Sequence, residues 1–223
     1  MSRNPLKWLI AAVALTATLT GTAASAREFG LELHSSGLRL ASQAAMRLTG
    51  GQTGYGGLGV RGHVEVMPNL AIGVEWWRAS STSAKTEWQQ DLATDAGILD
   101  AIYRWPVLSW LQPRVRVGAG LAWHSLELSD GGAKFSGSQL TPLVLGTAGF
   151  ELVVPRQRFQ RPGRAGEFTL GASFDLGWQH VFAADWTLDS QRALSPAMTQ
   201  KSLDFGSAGL TGTLVRVALL LRF

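Results

Sequence analysis

The strongest constraint on this chain is a period of two that recurs from one segment to the next. From Phe168 to His180 the even positions are Phe168, Leu170, Ala172, Phe174, Leu176 and Trp178; the odd ones are Thr169, Gly171, Ser173, Asp175, Gly177 and Gln179. A helix would mix the two sets, whereas a strand sends them to opposite faces. From Gly212 to Phe223, Thr213, Val215, Val217, Leu219, Leu221 and Phe223 share one face. Gly212, Arg216 and Arg222 lie on the other, with Leu214 and Leu220 interrupting it. In Arg114–Trp123, Val115, Val117, Ala119, Leu121 and Trp123 oppose Arg114, Arg116, Gly118, Gly120 and Ala122.

Five further segments follow the rule less cleanly. Phe29, Leu31 and Leu33 oppose Gly30, Glu32 and His34, in a strand that reads short. Leu58, Val60, Val64 and Val66 oppose Gly59, Arg61, His63 and Glu65; Leu70, Ile72, Val74 and Trp76 oppose Ala71, Gly73 and Glu75. Thr94–Trp105 turns Leu99, Ala101, Tyr103 and Trp105 outward, and Gln139–Val154 turns Val144, Ala148, Phe150 and Leu152 outward. The total is eight strands, an even number that lets an antiparallel barrel close with both ends on one side.

Composition says what surrounds such a barrel. Hydrophobic residues make up 46% and charged residues 16%, against about 25% charged in ordinary soluble domains. After Ala26 no apolar run approaches the roughly 20 residues of a membrane helix. High apolarity with only half-apolar strands predicts an all-β fold: a closed antiparallel transmembrane barrel, an up-and-down meander of eight strands. Residues 27–223 form that domain, with the cell outer membrane as its expected location.

Residues 1–26 read as a secretory signal peptide. Arg3 and Lys7 precede the uncharged stretch Trp8–Leu19, and Ala24-Ser25-Ala26 offers small residues for cleavage before Arg27. Without those residues the chain carries 18 Lys+Arg against 16 Asp+Glu, since only two bases and no acids are removed. An excess so small argues against a nucleic-acid partner. The absence of cysteine removes disulfides and thiolate chemistry.

The connections assign the two sides. Met67-Pro68-Asn69, Pro106–Pro113 and the Arg-rich Pro155–Gly166 are expected on the periplasmic side, the last as a solvated turn. Ser36–Gly56, Ser80–Asp91, Leu126–Gly137 and Phe182–Ala208 are expected as outer loops, with Trp186 in the longest. Trp76, Trp123 and Trp178 fall near the outer ends of their strands. Tyr103, Trp105, Phe150, Phe168 and Phe223 fall near the inner ends, so two aromatic girdles are expected.

Eight strands leave room inside for side chains only. The predicted lumen carries Glu32, Glu65, Glu75, Asp100, Glu151 and Asp175 against Arg61, Arg104, Arg114, Arg116 and Arg216, with His34 and His63. Near-equal numbers of opposite charge predict a paired polar plug rather than an open pore.

The signal peptide, the strand count and the ending Val215-Arg216-Val217-Ala218-Leu219-Leu220-Leu221-Arg222-Phe223 resemble the small eight-stranded outer-membrane barrels, the class that includes the OmpA transmembrane domain, OmpX and OmpW. The resemblance covers Arg27 to Phe223 and matches no single subfamily by motif. It implies that Val217, Leu219, Leu221 and Phe223 form the terminal signal read by the barrel-assembly machinery, an expected partner during biogenesis. Lipopolysaccharide and phospholipid are the other expected partners, and the barrel is expected to be a monomer.

For function, a structural or surface-interaction role without turnover is the expectation. A narrow OmpW-like channel for small or hydrophobic solutes is the first alternative; a barrel enzyme acting on lipid A is the second. Catalysis finds little support, because His124-Ser125 and His34-Ser35 are neighbours on a strand and point to opposite faces. His180 with Asp185 or Ser190 is a generic combination. No cofactor is expected, and no metal-ligand spacing recurs on one face.

Overall fold

The structure, a computed structural model, describes residues 28–85, 88–130, 133–154, 168–190 and 202–223. The signal region with Ala24 and Ala26, and the turn Pro155–Gly166, lie outside these residues. Among the described residues ten strands and one helix run in the order β1 (Phe29–Leu40), α1 (Gln43–Leu48), β2 (Gly54–Met67), β3 (Leu70–Lys85), β4 (Trp88–Arg104), β5 (Leu111–Asp130), β6 (Ala133–Val153), β7 (Thr169–Val181), β8 (Ala184–Ser190), β9 (Ser202–Ala208) and β10 (Gly212–Arg222).

Eight of the strands, β1 to β7 and β10, close into an antiparallel barrel in which β1 pairs with β10 and β5 with β6. Strands β8 and β9 form an additional hairpin, held to β6 through Phe135–Ser190 and Ser136–Asp189. Pairing followed once round the wall runs Phe29, Val64, Ile72, Ala101, Val117, Gly146, Trp178, Thr213 and back to β1 at Arg39. The path returns ten residues beyond its start, and that shear tilts the strands by about 40°. At the seam, Phe223 N–H donates to Phe29 O at 2.8 Å and the two rings stack at 6.3 Å.

The wall is uneven in height. β10 has 11 residues and β1 has 12, whereas β5 has 20 and β6 has 21. A tilted strand crosses the bilayer in roughly 9–11 residues, so β3 to β6 stand well clear of it. This corrects several expected boundaries. Ser80–Asp91 and Leu126–Gly137 are largely strand rather than loop, Ser36–Gly56 holds α1 and two strand ends, and β1 is longer than its alternation suggested. Pro106–Pro113 is shorter than expected, because β5 begins at Leu111.

Exterior chemistry changes along these tall strands. On β5 the outward residues pass from Val115, Val117, Ala119, Leu121 and Trp123 to Ser125, Glu127 and Ser129. On β3 they pass from Ile72, Val74 and Trp76 to Arg78, Ser80 and Thr82. Trp76 and Trp123 therefore sit at this switch in mid-strand, not near strand ends. Trp178 also faces outward, as do Tyr103, Trp105, Phe150 and Phe168 toward the other end. On the closing strand Leu219 is 69% exposed; Val217 and Phe223 are exposed and Leu221 is half-buried. Such a band of outward apolar side chains round a closed sheet is the surface that a membrane barrel presents to lipid.

The lumen as candidate functional site

Period two places one residue in every pair inside, and the register decides which of them meet. Beginning at the turn end, which carries Phe29, Phe223 and the β2–β3 turn, the lumen is filled by ion pairs. Arg61 holds Asp100 through Nε and Nη2, the latter at 2.6 Å from Oδ1, and reaches Glu32 Oε1 through Nη1 at 2.9 Å. Arg114 joins three carboxylates: Glu32 at 3.2 Å, Glu151 at 2.5 Å and Asp175 at 2.5 Å. Arg116 donates to Asp100 and Glu75, and Arg216 grips Glu75 with both Nη atoms. Arg104 and Arg222 close the turn end on Glu151.

Ten of the eleven charged residues expected in the lumen thus come together, all buried. The exception is Glu65. It sits half-buried beside the turn, where its Oε1 accepts the Asn69 N–H at 2.8 Å. The cause is local. Asn69 adopts φ 69° after Pro68, as a type II turn requires, and its amide faces the carboxylate. Arg222 joins the network although only its shared face with Arg216 hinted at it. His63 lies between Arg61, at 3.0 Å, and Arg104, at 2.9 Å.

Room for these long side chains comes from glycines on neighbouring strands. A Cβ on Gly30 would meet the His63 ring at 2.2 Å, one on Gly59 the His34 ring at 2.4 Å, and one on Gly73 the Arg61 guanidinium at 2.5 Å. On Gly149 it would lie 1.9 Å from Phe174 O and 2.6 Å from the Asp175 carboxylate. The small residues that thin out the inward face are thus the sites over which the charges fold.

One pleat further toward the loop end, the filling changes. The next inward residue after Glu75 is Trp77, after Asp100 Ile98, after Thr147 Leu145, and after Arg216 Leu214, all four buried. Leu214, which broke the polar face of the last strand, belongs to this layer. Above it an apolar core continues through Leu38, Ala96, Ala122, Leu126, Leu143 and Phe135. It is interrupted by His124, whose Nδ1 lies 2.8 Å from Thr94 Oγ1 and whose Nε2 lies 2.9 Å from Thr141 Oγ1.

The core is closed at the top by two elements. Helix α1 starts at Ser42, whose Oγ accepts the Ala45 N–H at 3.1 Å, and buries Ala45 and Leu48. Gln90 caps its other end by donating to the Arg47 and Leu48 carbonyls at 2.8 and 2.7 Å. The β8–β9 hairpin adds Trp186 and Leu188 to the same core. Trp186, expected in a solvated loop, is 2% exposed and donates from Nε1 to Ala208 O at 3.2 Å.

The catalytic pairings considered from sequence are not assembled. Ser125 points outward while His124 is enclosed between its two threonines. His180 lies on the exterior, packed edge-on against Phe182 at 4.8 Å. Among the described residues no group of three or more His, Cys, Asp or Glu is placed to hold a metal ion.

No protein-family model matches this sequence, and no curated protein matches it. Solved structures do. A major outer membrane protein from Thermus thermophilus is 16% identical over 89% of this chain and 100% of its own, with a TM-score of 0.55. Neisserial surface protein A is 13% identical over 87% of this chain and 95% of its own, with a TM-score of 0.47. Ail of Yersinia pestis is 10% identical over 88% of this chain and 98% of its own, with a TM-score of 0.46. The Thermus likeness is one of fold. The chain has the closed eight-stranded antiparallel fold of the outer-membrane barrels, and it is a membrane barrel.

Proposed function

We propose that this outer-membrane barrel has a structural or surface-interaction role, with a lumen stopped by its own side chains and no enzymatic turnover. The observation that carries this reading is the two-part filling of the interior. Buried Arg–carboxylate pairs occupy the membrane level, and an apolar core capped by α1 and the β8–β9 hairpin stands above it. An ion crossing the barrel would have to displace both, one held by charge-assisted hydrogen bonds and the other a largely apolar core whose His124 is already bonded to Thr94 and Thr141. The tall β3–β6 flank, polar outside and apolar inside, offers a rigid surface above the bilayer. Lipopolysaccharide and phospholipid are its proposed lipid partners, and the barrel acts as a monomer.

Planar-bilayer recording tests the closed lumen. The expected trace has no discrete conductance steps above the bare membrane, and steady unitary steps would favour the narrow-channel alternative. Mass spectrometry of lipid A from cells with and without the protein is expected to give identical acyl patterns. A shift by one acyl chain would replace this reading with the enzymatic one.

A further inference from the structure

Where the charged filling meets the apolar one, several fully buried polar atoms have no hydrogen-bonding partner among the described residues. They are both ring nitrogens of His34, Arg116 Nη1, Arg216 Nε and Thr147 Oγ1, with Glu32 Oε2 a pleat below; Arg222 Nε, at the turn end, is a further such atom outside this group. The group is not scattered. Arg116 and Thr147 are directly paired across β5 and β6. His34 and Arg216 are diagonal neighbours across β1 and β10, where Ser36 pairs with Arg216 and Ala218 with His34. Glu75 ties the two walls together, 2.6 Å from Arg116, 2.7 Å from Arg216 and 3.6 Å from His34. Trp77, Ile98, Leu145 and Leu214 roof the group, and the Arg61–Asp100 and Arg114–Asp175 pairs lie beneath it.

Leaving a buried polar atom unpaired costs about 1–3 kcal/mol, more when it is charged, so a cluster of them at one level calls for a small ligand with both donor and acceptor capacity. Two candidates are small enough, water and a halide-sized anion. The charges decide between them. Arg61, Arg104, Arg114, Arg116, Arg216 and Arg222 face Glu32, Glu75, Asp100, Glu151 and Asp175, and Glu28 adds a carboxylate at the rim 3.9 Å from Arg222. Six bases against six acids leave no net charge for an anion to neutralise, and the anion would lie close to the Glu75 carboxylate. The cluster also contains an acceptor, Glu32 Oε2, which an anion repels and water satisfies.

We infer that the barrel encloses a small ordered water cluster at the level of His34, bonded to His34, Arg116, Arg216 and Thr147 and sealed above by the apolar layer. This deepens the closed-lumen reading: the membrane-level lumen is wet but dead-ended. It rests on that reading, yet conductance and hydration are measured separately, so either can fail alone.

A crystal structure of the purified full chain, grown in bromide, is the direct test. Discrete density within hydrogen-bonding distance of the His34 ring, Arg116 Nη1, Arg216 Nε and Thr147 Oγ1, without anomalous signal, is the expected result. A bromine anomalous peak there, or a site with no density, would overturn the inference. Thr147→Val gives an independent readout in reversible unfolding from lipid vesicles. If the hydroxyl bonds water, the folding constant falls about fivefold. If the hydroxyl is dry, the isosteric valine leaves that constant unchanged or raises it, and the inference fails.

Discussion

Arg216 meets Glu75 across 141 residues of sequence with two parallel hydrogen bonds, Nη1 to Oε2 and Nη2 to Oε1, each 2.7 Å long. Both side chains are buried, so the pair ties the closing strand β10 to β3 across the lumen. Replacing Arg216 with Met leaves the Glu75 carboxylate short of one cation. A loss of about 3–5 kcal/mol in folding free energy is expected from urea titration in lipid vesicles. An Arg216→Met barrel as stable as the parent would mean that Arg116 alone suffices for Glu75.

Trp186 offers a test of the upper core. If it packs beneath the β8–β9 hairpin as described, Trp186→Ala should cost about 3–5 kcal/mol and free the hairpin for proteolysis. A solvated-loop tryptophan would give neither effect, so unchanged protection from protease would refute the packing.

Glycines at the wall are not equivalent. A Cβ at Gly149 would lie 1.9 Å from Phe174 O, whereas one at Gly146 meets nothing within 4 Å. Gly149→Val should therefore fail to give the compact, heat-modifiable band of a folded barrel on a gel, while Gly146→Ala should give it in full. Equal yields from the two variants would show that the wall yields more easily than these distances allow.

Leu219 tests the lipid-facing stripe. It is 69% exposed in mid-strand, and an arginine there would stand in hydrocarbon at a cost of about 2–4 kcal/mol. Leu219→Phe should be neutral. A soluble barrel would tolerate both substitutions, so vesicle-folding titrations of the pair distinguish the two environments.

The strand faces and most of the charged lumen were legible because membrane-level alternation has one meaning: outward apolar, inward polar or small. Arg114 and Arg116 against Val115 and Val117 leave no other reading. The tall flank escaped because the meaning inverts above Trp123. There Leu126 and Leu128 turn inward while Ser125, Glu127 and Ser129 turn outward. The period continues with its sense reversed, and a search for outward apolar residues takes the stretch for a loop. That reversal was the available signal. Trp186 had no such signal, since its burial depends on where the β8–β9 hairpin lands on β6, which local sequence does not determine. Glu65 shared the lumen face with Arg61, but its partner is a turn amide that no alternation reveals.

The ten-residue offset at the β1–β10 seam carries a rule about parity. Inward and outward residues alternate along every strand, so a closed wall stays consistent only if the offset round it is even. An odd offset would set an arginine of the interior beside a leucine of the lipid face along the entire seam. A single residue inserted into the middle of any membrane-level strand would do the same. Changes in the length of this wall should therefore be tolerated in twos, or one at a time only at its rims, where the irregular pairing between Glu65 and Met67 already takes up an unmatched residue beside a turn.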